Sequence, residues 1–182
     1  MKHTALAVAL TLAALPFGCG PSSSLPPEEQ VKILKEDVAA TIETCKSKFP
    51  STAKDFSSAH AYAVYPAIGK GGLIVGGFSG KGLVYERGKL VARSDAGGGT
   101  IGAQIGGQSF SEVIFFESEA AFAKFKRGET AFQAGGSATA GTASASAAND
   151  YKDGVKVMTF DGGGLMLEGV IGGQTFSFEP IK

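Results

Sequence analysis

Tryptophan is absent from the 182 residues, and cysteine and histidine occur only twice each. Two cysteines, Cys19 and Cys45, cannot build a bridged scaffold of the kind that small secreted domains use. Removing the first residues as a leader would leave His60 as the sole histidine. A nucleophilic triad would therefore depend on His60, which stands in an apolar, strand-like stretch where a structural imidazole is expected. No cluster of His, Cys and carboxylates has metal-ligand spacing, so neither a metal nor another cofactor is expected. Excess charge of either sign is missing too, with 17 basic residues against 17 acidic, and nucleic acid is not an expected partner. The longest apolar run, residues 5–15, falls well short of the roughly 20 residues that span a bilayer.

Three catalytic or nucleotide motifs fail on their surroundings. Gly77-Phe78-Ser79-Gly80 continues with Lys81 where a nucleophile elbow needs glycine. Gly80-Lys81 is followed by Gly82 and lacks the upstream glycine of a phosphate loop. Residues 97–102 fit G-x-G-x-x-G, but the chain continues as Ala103-Gln104-Ile105-Gly106-Gly107, β-like and broken by glycine. That motif works only when a helix follows and presents its N-terminus to a pyrophosphate. No catalytic residue is assigned, and a non-enzymatic protein is expected.

What the chain does have begins with an export leader. Lys2 and His3 precede the apolar run, and polar, proline-bearing sequence follows it at once. Gly18-Cys19 has the form of a bacterial lipobox, although Pro16 stands where leucine is usual and Leu15 lies one position early. Residues 1–18 are therefore read as a lipoprotein signal peptide, Cys19 as the lipidated residue, 19–27 as a linker and 28–182 as one domain. Acyl chains on Cys19, each contributing about 0.8 kcal/mol per buried methylene, would tether the protein stably. Gly20 after the cysteine points to the outer membrane, facing the periplasm. Cys45, left without a partner, is expected to be a small buried side chain.

The domain opens with an amphipathic helix. Pro27, Glu28 and Glu29 start it, Lys46 and Lys48 close it, and Pro50 stops it. Val31, Leu34, Val38, Ile42, Cys45 and Phe49 share one face. A shorter helix is expected over residues 51–59. From His60 the period becomes two, with short β-type runs at 62–64, 73–75, 83–85, 90–91 and 113–116. Glu86-Arg87-Gly88-Lys89 reads as a hairpin turn. A helix capped by Ser118 presents Phe122, Phe125 and Phe132, and three or more strands return over 155–178. Residues 135–149 have the composition of a linker but alternate small and polar residues, which favours a strand with a small-residue face.

Glycine, at 27 residues, is the dominant feature. Ile105-Gly106-Gly107-Gln108-Ser109-Phe110 recurs as Ile171-Gly172-Gly173-Gln174-Thr175-Phe176, and Gly71-Gly72-Leu73-Ile74-Val75 is echoed by Gly163-Gly164-Leu165-Met166-Leu167. Paired glycines at matching places mark sharp bends or closely packed sheets. The expected fold class is α+β: a single domain with a curved antiparallel glycine-rich sheet or barrel and packed helices. Basic residues gather locally at Lys70, Lys81, Arg87, Lys89 and Arg93, with only Glu86 and Asp95 among them. Glycines between those cations would let an anionic head group approach the backbone amides, and these five are the candidate lipid-binding residues.

Residues 63–77 (Ala63-Val64-Tyr65-Pro66-Ala67-Ile68-Gly69-Lys70-Gly71-Gly72-Leu73-Ile74-Val75-Gly76-Gly77), followed by Gly80-Lys81-Gly82, resemble the signature of the SYLF domain. Residues 102–108 and 163–170 resemble its second and closing glycine blocks, so the likeness covers nearly the whole domain. The resemblance implies binding of phospholipid or a fatty acyl ligand, with membrane contact through the helix at 31–49, which either packs on the sheet or opens to lipid. The tryptophan-serine turn usual in that family is replaced by Leu90-Val91-Ala92-Arg93-Ser94, and no SH3 domain is attached. Actin, a partner of some eukaryotic members, is accordingly not expected. The alternative is a structural or protein-interaction lipoprotein of the outer membrane without lipid-specific binding.

Overall fold

The computed structural model of the chain describes residues 26–72, 75–101, 108–129, 151–161, 164–165 and 174–181. The leader, Cys19, Phe132, the stretch 135–149 and most of both glycine blocks lie outside the described residues. The rest forms one α+β domain around a curled antiparallel sheet. In chain order the elements are α1 (Pro27–Lys48), α2 (Thr52–Ser58), β1 (Ala61–Gly72), β2 (Val75–Glu86), β3 (Lys89–Ile101), β4 (Gln108–Phe116), α3 (Glu119–Lys126), β5 (Val155–Asp161), β6 (Gly164–Leu165), β7 (Gln174–Phe176) and β8 (Glu179–Pro180). The sheet runs β6-β5-β4-β1-β2-β3-β7, and β8 adds to β3.

Helix α1 has the expected ends. Pro27 occupies its first turn, Glu28 and Glu29 face the positive pole, and Lys46 and Lys48 face the negative one. Its apolar stripe packs on the sheet. Val38 and Cys45 are fully buried, and Leu34, Ile42 and Phe49 join them against Tyr62, Val64, Leu83, Val113, Phe115, Met158 and Phe160. Of the two placements open to this helix, packing on the sheet is the one found. Burial raises the Cys45 thiol pKa, and the thiol donates to Thr52 Oγ1 at 3.7 Å. No helix among the described residues is long and apolar enough to cross a membrane.

The other face of the sheet is concave. Gln174 on β7 and Glu112 on β4 are four strand positions apart, a span of about 19 Å in a flat sheet. Their side chains are 2.7 Å apart. The sheet must therefore curl until its far edge faces its middle. Tyr65, Ile68, Phe78, Phe110, Ile114, Phe116 and Phe176 fill the hollow, and Phe122 and Phe125 of α3 pack onto them. Ser118 caps α3 as expected, its Oγ accepting from the Ala121 N–H at 3.3 Å.

A bulge in β1 makes the curl possible. Tyr65 and Pro66 stand opposite the single residue Gly82 of β2. Proline, which has no N–H to give to a ladder, is tolerated in this central strand because it sits in the bulge. Its carbonyl accepts instead from Ser111 Oγ at 2.7 Å. The Tyr65 ring lies against Gly82, where a methyl group would overlap the ring and come within 2.6 Å of the Val64 carbonyl oxygen. Gly80 is equally hemmed in, since a methyl group there would come within 2.7 Å of both the Ala67 carbonyl oxygen and Ile68 Cγ1. The motif Gly80-Lys81-Gly82 is thus a pair of contact points beneath a bulge.

Across the sheet, α2 is held by a buried ion pair. Lys156 Nζ of β5, 3% exposed, is 2.6 Å from Asp55 Oδ2, and the Tyr151 hydroxyl donates to Asp55 Oδ1 at 3.5 Å.

Three substitutions test these contacts. Gly82→Ala should lower the unfolding free energy by about 3 kcal/mol through overpacking against backbone. Gly71→Ala, with nothing within 4 Å of the new methyl, should shift it by no more than about 0.5 kcal/mol. Asp55→Ala should cost about 3 kcal/mol, because it strands the buried Lys156 ammonium. Urea titrations followed by circular dichroism measure all three.

Candidate functional site

The five sequence-selected cations fall in three places. Arg87 and Lys89 sit at the β2–β3 turn. Lys81 and Arg93 lie on the convex face, in register with Asp95 and Leu83 respectively. Lys70 is near the opposite end of β1, paired with Phe78 and Gln108 and so on the concave side. Nine residues along β1 separate the Arg87 end from the Lys70 end, roughly 30 Å. A single basic surface made of all five does not exist, because strand alternation and strand length divide them.

Of the five, Arg87 and Lys89 share a hollow. With His60, Glu86, Val91 and Glu119 they line a cleft of about 370 Å³ between the hairpin tip and the start of α3. The turn that positions them is built from left-handed residues, with φ +50° at Arg87 and +75° at Gly88. This is the type I′ geometry that matches the twist of flanking strands, and it favours Asn-Gly over Arg-Gly. The Arg87 N–H donates to the His60 carbonyl at 2.9 Å, which ties the turn to the base of β1. His60 Nε2 is 3.0 Å from Glu86 Oε1, and the imidazole ring lies 6.1 Å from that of Phe122. The imidazole is thus held between the Glu86 carboxylate and the Phe122 ring. Among the described residues Arg87 and Lys89 form no ion pair, whereas Arg93 is bound to Glu179 at 3.1 Å.

A second hollow, about 210 Å³, lies between the end of α1 and the Pro66 bulge. The one cation lining it, Lys48, donates to the Asp161 carbonyl at 2.9 Å.

The most unusual polar site was not singled out by motif. Glu112, 1% exposed, points into the concave core beside Phe110 and Ile114, and burial pushes its carboxyl up to about 7. The Gln174 amide, also 1% exposed, donates to it and counteracts part of that rise. Close by, the Tyr65 hydroxyl donates to Ser94 Oγ at 2.6 Å, and Ser94 passes its own proton to the Ser177 carbonyl at 2.6 Å. A signal for Glu112 was present. In Phe110-Ser111-Glu112-Val113-Ile114-Phe115-Phe116 it occupies an even position of the strand, in phase with buried Phe110, Ile114 and Phe116.

Compared with known proteins, the chain matches no family model and no curated protein sequence.

Arg87→Asn should leave stability unchanged or raise it by about 0.5 kcal/mol, since asparagine tolerates the positive φ better than arginine. Thermal unfolding of the single variant checks this, and a loss above about 1 kcal/mol would contradict the assigned turn.

Proposed function

We propose that the chain is an exported, non-enzymatic envelope lipoprotein whose domain binds phospholipid, with the phosphate held by Arg87 and Lys89. The observation that carries the reading is the cleft at the β2–β3 turn, where two cations without acidic partners flank Val91 beside the aromatic cluster. Such cations attract an anionic membrane surface by about 1 kcal/mol each. The three ordered glycine blocks that resemble the SYLF domain support the same reading. Gly80 and Gly82 have a mechanical task under the β1 bulge, which accounts for part of that signature without a ligand. The leader and the lipobox at Cys19 supply the route to the envelope, and an acyl anchor on Cys19 would hold the domain at the outer membrane. Lys70, Lys81 and Arg93 are too far from the cleft to share one head group with it, so they have at most a general electrostatic part.

One feature favours the alternative of a structural or protein-interaction lipoprotein. Glu86 and Glu119 line the same cleft, and their charge nearly cancels that of the cations. A mixed-charge hollow also suits a protein surface.

Vesicle flotation separates the two. The chain carrying Cys19→Ser, so that no acyl anchor forms, should float with vesicles rich in anionic phospholipid and lose binding as salt rises. Arg87→Asn combined with Lys89→Gln should weaken binding about thirty-fold, following from about 1 kcal/mol per cation, whereas Lys81→Gln should change it little. Equal recovery with and without vesicles would sink the lipid reading, and salt-insensitive capture of one envelope protein would support the alternative.

A further inference from the structure

Gln174 carries an anomaly that bears on how the curled sheet stays shut. Its amide nitrogen donates to Glu112 Oε1 at 2.7 Å, but its carbonyl oxygen Oε1 is buried and meets no donor among the described residues. A buried carbonyl without a donor gives up its hydration and gains nothing in return. The orphan acceptor is on the same carboxamide that meets the Glu112 carboxyl, so one hydrogen on the second Glu112 oxygen would supply what is missing. A neutral acid and an amide then close a ring of two hydrogen bonds, each group donating once and accepting once. An ionised Glu112 would instead set a buried negative charge beside a second acceptor.

From this geometry we infer that Glu112 and Gln174 form a proton-held clasp across the concave core, and that loss of the proton frees β7 from the sheet. The groups that face Glu112 from the neighbouring strands are few. From β1, Tyr65 pairs with Glu112, but its hydroxyl is committed to Ser94 of β3. From β5, the residue in register is Thr159, which does not titrate. Lys70 is on the same face but opposite Gln108, four residues along β4 and roughly 13 Å away. Burial raises the Glu112 carboxyl and the Gln174 amide offsets part of that rise; the charge of Glu112 in turn helps raise the Tyr65 phenol, which stays neutral throughout the range concerned.

The edge strand is the part that can yield. β7 is joined to β3 through three residue pairs, Ala96 with Phe176, Gly97 with Thr175 and Gly98 with Gln174. Two of the three β3 partners are glycines, which add no side-chain packing. Peeling β7 away takes Gln174 out of the core, lets Glu112 meet water and uncovers Phe176, which rests on Tyr65 and Phe125. The proton leaves Glu112 for solvent, and no bond other than O–H is broken.

The sign follows from the direction of the shift. The closed state holds its proton up to about pH 7 and the open state only to about pH 4.5, so closure binds more protons between them. Opening should therefore be constant below about pH 4.5, rise about tenfold per pH unit up to about 7, and level off above that.

Amide hydrogen exchange of residues 174–176 in the full chain, corrected for intrinsic exchange, measures this opening. Wild-type protein should show the rise and the plateau. Glu112→Gln, whose amide reproduces both hydrogen bonds of the neutral acid, should show slow exchange with a flat pH dependence. A flat wild-type profile, or an unchanged slope in the variant, would overturn the clasp. Carbon-13 NMR of glutamate-labelled wild-type chain tests the same idea if Glu112→Gln fails to fold. One carboxyl should titrate near neutrality with the midpoint of the exchange profile, and titration of every carboxyl in the ordinary range would refute it. Neither readout involves lipid, so the clasp and the phospholipid reading stand or fall separately.

Discussion

Tyr65 can lie flat across β2 only because Gly82 has no side chain, and the concave core is organised around that contact. The bulge that presents Tyr65 also bends β1, the central strand, and so turns the two halves of the sheet toward each other. Once the halves face, the ring has Phe176 on its far side at 5.6 Å, and its hydroxyl reaches Ser94. Buried hydroxyls need such partners, because a polar group without one loses its hydration and gains nothing. A hydrogen-bonded chain from Tyr65 through Ser94 to Ser177 therefore pins β1, β3 and the segment after β7 in one arrangement.

The two faces of the sheet meet different demands. The convex face is sealed by α1 along an aliphatic and aromatic stripe, and α2 is fastened beside it by Asp55 and Lys156. The concave face is filled by phenylalanines from β2, β4, β7 and α3, with a polar seam of Glu112, Gln174, Ser94 and the Tyr65 hydroxyl running through it. Hydrophobic burial supplies the driving force in both layers. The polar seam adds direction, because its hydrogen bonds are satisfied only when β7 stands opposite β4. Function, on the proposed reading, belongs to the rim, where the Arg87–Lys89 turn projects beyond both layers.

Much of the fold was legible because local chemistry and tertiary structure agree. Proline and acids at the start of α1, lysines at its end, Ser118 before α3 and Gly88 in the hairpin each act within a few residues of themselves. The alternation of buried side chains in β1 and β4 is equally local. Gln108-Ser109-Phe110 and Gln174-Thr175-Phe176, the described parts of the repeat, begin β4 and β7 and send both phenylalanines into one core. Asp153-Gly154, with φ values of +51° and +78°, is a tight turn of the Asp-Gly kind that is equally local in origin.

The candidate site was legible only in part. Composition picked out five cations between Lys70 and Arg93, but proximity in sequence is not proximity along a strand. Rising about 3.3 Å per residue with alternating faces, a hairpin separates such residues by its length and by its two sides. The chain by itself determined the elements, their caps, the apolar face of each, and an α+β domain rich in sharp glycine contacts. Only the tertiary structure decided that Arg87 and Lys89 share a cleft, that α1 lies on the sheet, and that Glu112 meets Gln174. Those pairings depend on how far the sheet curls, which involves contacts such as that of Glu112 with Gln174, 62 positions apart, beyond the reach of any local pattern.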